Sequence, residues 1–200
     1  LHYPLRRQRQ MCIRDSLGTS HLFTRDVFCF WEDRGEVRMQ LKPHAPGIRK
    51  FSEQALTAKA RTIIKSMRAS KDSGKAVMFY SCIIGSIPGQ TATAIKVADT
   101  FVRSLRERLD QVFIINPAEY FEPGMDGDDL MFMWEQVQRS GLINIWRFQS
   151  MEDIEASFGL MGLKVPPVWS GKDATFSTGC TKEMRIALDM QRSHPELQIV

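Results

Sequence analysis

The stretch AVMFYSCIIGSIPGQTATAIKVADTFVRSLRERLDQVFIINP, residues 76–117, decides the fold. Ala76–Ile84 is an almost unbroken apolar run, as expected of a strand covered on both faces. Gly85-Ser86-Ile87-Pro88-Gly89-Gln90 is a turn, and Thr91–Leu109 follows as an amphipathic helix. Its stripe is Ala94, Ala98, Phe101, Val102, Leu105 and Leu109, with Lys96, Arg103, Arg106 and Arg108 largely off it. Val112–Ile115 is a second apolar strand, and Asn116-Pro117 must leave its ladder. Strand, helix and strand make one βαβ unit, which sets the class as α/β.

The flanking sequence extends the alternation. Phe51–Ser70 predicts a helix with Leu56, Ala60, Ile63, Ile64 and Met67 on one face, closed by Lys71-Asp72-Ser73-Gly74. After the βαβ unit come a helix from Asp128 to Arg139, a strand over Leu142–Phe148 and a short helix over Met151–Leu160. A Pro-, Gly-, Ser- and Thr-rich loop over Lys164–Thr178 leads to a helix over Thr181–Arg192 and strand character at Leu197–Val200. Upstream, Val27–Trp31 and Glu36–Leu41, joined by Glu32-Asp33-Arg34-Gly35, read as a β-hairpin. The expected architecture is Rossmann-like: a mainly parallel, doubly wound sheet flanked by helices, with an N-terminal hairpin.

Charge and composition narrow the classes. Residues 1–20 hold Arg6, Arg7, Arg9 and Arg14 against Asp15, a net +3 of the chain's +4, which leaves +1 for residues 21–200. A broad nucleic-acid patch is therefore not expected. Residues 7–16 resemble translated adapter sequence, and residues 1–20 lack apolar periodicity, so they read as a non-native or disordered leader. Residues 21–200 read as a single α/β domain truncated in a strand at its C-terminal end. No apolar run approaches the ~18 residues of a membrane span. Outside the leader, Cys29, Cys82 and Cys180 are widely spaced, without a CxxC pair, which suits a reducing, cytoplasmic setting.

In a sheet of this kind, ligands bind beyond the C-terminal ends of the strands. Three loops qualify. Gly85-Ser86-Ile87-Pro88-Gly89-Gln90-Thr91 opens a helix and resembles a phosphate-binding loop. It lacks the lysine of a GxxxxGK[ST] loop and the spacing of GxGxxG, and a plain tight turn is the alternative. Glu122-Pro123-Gly124-Met125-Asp126-Gly127-Asp128-Asp129 offers Asp126 as a Mg²⁺ ligand beside a phosphate, while Asp128 suits a helix cap. The third loop, Trp169 to Thr181, offers Lys172, Ser177 and Thr178 to an anion. It also puts Cys180 at a helix N-terminus, where a thiol pKa falls, which makes it a candidate catalytic nucleophile, although no base is paired with it; a cysteine-dependent enzyme using Cys180 or Cys82 is a further expectation.

Other features carry less chemistry. His21 and His44 flank the hairpin, and the methionines fall mostly at core spacing. Thr24-Arg25-Asp26 resembles a short motif of guanidine-modifying enzymes, whose repeated ββαβ pattern the chain lacks.

The expected ligand is a phosphate-bearing small molecule, such as a nucleotide with Mg²⁺, held by Gly85, Ser86, Gly89, Gln90, Thr91, Lys172, Ser177 and Thr178. If the domain is catalytic, phosphate-group transfer or hydrolysis fits better than hydride transfer. The competing expectation is a non-catalytic scaffold that docks a protein through residues 164–178 or the N-terminal hairpin.

Overall fold

Strand and helix alternate through residues 51–200, the part of the chain that the computed structural model describes. The expected leader and hairpin, with His21 and His44, lie outside the described residues. Helix α1 (Glu53–Asp72) starts where the Ser52 side chain accepts from Ala55 N, and buries Leu56, Ala60, Ile63 and Met67. It ends before Gly74, whose φ of 82° suits a residue without Cβ. Strand β1 (Ala76–Ser81), helix α2 (Thr91–Arg106) and strand β2 (Val112–Ile115) form the expected βαβ unit. Helix α3 (Gly127–Gln138), strand β3 (Ile145–Phe148) and helix α4 (Met151–Leu160) follow. Helix α5 (Thr178–Ser193) and strand β4 (Gln198–Ile199) complete the order.

The four strands form one parallel sheet in the order β2-β1-β3-β4. Successive residues of β1 face opposite sides, so each side of the sheet has its own core. Val77 and Phe79 pack with α1, α3 and α5 through Leu56, Met133, Trp134, Met184 and Ala187. Phe79 sits edge-on to Trp134 and Trp146, with ring centroids 5.4 and 5.3 Å away. Met78 and Tyr80 pack with Ala98, Phe101, Val102 and Leu105 of α2. Helix α4 lies against α2, where Ile154 and Phe158 meet Ile83, Ile87, Val97 and Trp169. Helices thus cover both faces, in a layout consistent with a Rossmann-like fold.

Strand β1 is shorter than its apolar run suggests. The Ser81 carbonyl accepts from Gln149 N, and then Ile83 N donates to the Gln149 side chain at 3.1 Å. A side chain replaces the strand partner, so Cys82–Ile84 leave the ladder while staying buried. Strand β3 likewise starts late, because the Asn144 side chain accepts from Val77 N at 3.0 Å. The expected Lys164–Thr178 loop contains 3₁₀ turns at Pro167–Trp169 and Ala174–Phe176, and α5 starts at Thr178 rather than Thr181. Among the described residues, no helix is long and apolar enough to cross a membrane.

Candidate functional site

The chain leaves β1 toward β2 on one side and returns to β3 on the other. The edge beyond β1 and β3 is therefore the topological switch point, where a sheet of this class opens to ligands. Two of the expected loops meet there. The Ser86 hydroxyl donates to the Ser177 hydroxyl at 2.9 Å, joining Gly85–Thr91 to the start of α5. Ser177 caps α5, its Oγ accepting from Cys180 N at 3.3 Å.

The turn before α2 is built differently from the other helix starts. Helices α1, α3, α4 and α5 are capped by the side chains of Ser52, Asp126, Ser150 and Ser177. Gln90, at the same position of α2, makes no such bond. Its Oε1 instead accepts from the buried Trp169 indole at 3.3 Å. The leading backbone N–H groups of α2 thus receive no side-chain acceptor, at the positive end of the helix dipole. Gly89 has φ 71°, the left-handed conformation that the turn into Gln90 uses. Gly85 is exposed, and a Cβ built on it meets nothing within 4 Å. Thr91 is half-buried as the first residue of α2, and Thr178 is exposed as the first of α5.

The remaining expected site residues have other employment. The Lys172 ammonium lies 4.9 Å from the Phe176 ring centroid, a cation–π contact within its own loop. Asp126, rather than Asp128, caps α3: its Oδ1 accepts from Asp128 N and Asp129 N, and Asp129 returns the bond to Asp126 N. That capping box accounts for the acidic turn. Among the described residues, no cluster of three or more His, Cys, Asp or Glu is placed to hold a metal. Cys180 is buried, and burial pushes its thiol up to about 12, helped by the nearby Glu183. This corrects the lowered pKa expected from the helix N-terminus alone, because loss of water outweighs the dipole.

Beneath the Ser86–Ser177 contact lies a polar group that the sequence reading passed over. Glu183, on α5, is buried. Its carboxylate accepts from the Ser81 hydroxyl and from Gln138 Nε2, the latter at 2.9 Å. Burial raises its pKa to about 7 against those two bonds, and no cation is among the groups that shift it. Cys82, just beyond β1, is buried and raised well above the ordinary range by burial first, then by Cys180 and Glu183. Its Sγ lies 3.8 Å from Asn116 Oδ1, and Asn116 Nδ2 donates to Asp99 at 2.6 Å. A signal for Glu183 existed: Cys180, Glu183, Met184 and Ala187 fall at i, i+3, i+4 and i+7, which puts the acid on the buried stripe. Chemically, the edge offers the Ser86 and Ser177 hydroxyls and uncapped backbone donors, and Glu183 is a buried carboxyl whose pKa burial raises to about 7.

No known protein family, curated protein or solved structure matches this chain.

Proposed function

We propose that the chain binds a phosphate-bearing small molecule at the switch-point edge, with the N-terminus of α2 as its anion end. The observation that carries this reading is the uncapped start of α2, next to an exposed glycine turn and the Ser86 and Ser177 hydroxyls. In this reading Gly85, Gly89, Gln90 and Thr91 shape the cradle, Ser86, Ser177 and Thr178 supply hydroxyl donors, and Lys172 adds charge after leaving Phe176. The buried free thiols Cys82 and Cys180 suit a reducing compartment such as the cytoplasm.

The test is thermal unfolding with ATP, GTP, NAD(P), FAD and sugar phosphates, with and without Mg²⁺. A ligand bound by the folded state raises the midpoint by mass action. Gly85→Leu is the informative variant: a Cβ at this position meets nothing within 4 Å in the fold, and a side chain there stands where a ligand would rest on the turn. The expected result is a saturable rise in the parent chain that Gly85→Leu abolishes at an unchanged ligand-free midpoint. A flat response across the panel refutes the proposal.

A second reading, protein docking through residues 164–178, rests on exposed Val168 and Phe176, with Leu160 and Leu163 just before them. Loss of partner capture on Leu163→Asp and Phe176→Asp, with Gly85→Leu neutral, distinguishes it.

A further inference from the structure

A second small site lies beside Gln138, a partner of Glu183. Gln138 donates its Nε2 to Glu183, while its Oε1 is buried without a protein partner. Trp146 Nε1, also fully buried, has no protein acceptor. Both residues line one cavity of about 10 Å³, together with Gly141, Ile143, Met190, His194 and Leu197. Buried polar atoms are almost always satisfied, and each one left without a partner costs roughly 1–3 kcal/mol. One orphan is an acceptor and the other a donor. The cavity has room for the centre of a single water, and a buried water needs two to four polar partners.

We infer that this cavity is a water-binding site, in which one buried molecule accepts from Trp146 Nε1 and donates to Gln138 Oε1. Ile143, Met190 and Leu197 are its apolar walls, and the His194 imidazole is a further polar group in the lining. Because water both donates and accepts, it also satisfies the other end of the Gln138 amide when the side chain turns over. Gln138 can then serve either protonation state of the acid beside it. The site does not depend on ligand binding at the switch point.

The experiment is rotating-frame Overhauser NMR of the whole chain, observing the indole N–H protons against water. The chain has four tryptophans, and Trp146→Phe identifies the relevant signal by its disappearance. The expected result is a cross-peak between Trp146 Hε1 and water with the sign of a dipolar contact, opposite to that of chemical exchange. Gln138→Leu, which removes the acceptor, is expected to abolish it while the Trp146 signal remains. A Trp146 indole proton in the parent chain with no water cross-peak, or with one of exchange sign only, overturns the site. Persistence of the dipolar peak in Gln138→Leu overturns the bridge. If that variant fails to fold, the parent spectrum alone decides.

Discussion

Raising the pH from 4.5 to 8 is expected to remove about 3 kcal/mol of stability through Glu183 alone. In the unfolded chain its carboxyl titrates near the ordinary 4.5, and in the folded chain near 7. Below 4.5 both states hold the proton, and the contribution is complete. As the pH rises from there, the unfolded chain releases its proton while the folded chain keeps it, so folding weakens. Above 7 both states are ionised, and the loss is finished. That gap, at about 1.4 kcal/mol per pH unit, gives the figure of about 3 kcal/mol. Glu183→Gln keeps the shape and removes the titration, and the Gln138 amide can turn to meet it. Urea unfolding of both chains between pH 4.5 and 8 isolates the term, because titrating groups uncoupled from Glu183 cancel in the difference, and the coupled thiols of Cys82 and Cys180 stay protonated in the fold over this range. The variant is expected to match the parent near pH 4.5 and to exceed it by about 3 kcal/mol at pH 8. A difference that stays within about 0.5 kcal/mol across the range, or that favours the parent as the pH rises, refutes the reasoning.

Two more outcomes follow from the same geometry. Cys82 and Cys180 should label with a thiol reagent at pH 8 only as fast as the chain opens, so their rates should rise with urea; rapid labelling of the native protein contradicts their burial. Asp126→Ala should cost about 1 kcal/mol through loss of the α3 capping box, by the same amount with and without Mg²⁺ in calorimetric unfolding, whereas a cost that grows with Mg²⁺ supports Asp126 as a metal ligand.

The parts of the fold legible in the sequence are those where one physical pattern acts alone. The apolar run into β1, the stripe of α2 and the α4 segment could be read because periodicity and burial agree there. The sequence blurred where side chains substitute for backbone. Gln149 and Asn144 occupy strand positions with their amides and so shorten β1 and β3. Ser177 starts α5 earlier than its apolar residues suggest. At the site, the glycine turn was legible because Gly and Pro carry local conformational signals. The Ser86–Ser177 bond spans 91 residues, and the burial of Glu183 depends on three elements meeting; neither is a local property. The pKa of Cys180 shows the same limit, since local reasoning gives the dipole and only packing gives the desolvation.

The all-parallel sheet also dictates an order of assembly. Among the described residues every strand pairing is bridged by at least one helix, so the sheet has no tight turn from which to zip. Ala76 waits for Val112, Met78 waits for Ile145, and Ile145 waits for Gln198. On a ribosome, β1, α2 and β2 can therefore dock as a pair of strands while β3 is still unmade. During that interval β1 has one bare edge, with Phe79 and Tyr80 lacking their later cover from Trp146 and Arg147. Strand β1 thus goes from one bare edge during synthesis to pairing on both sides in the finished sheet.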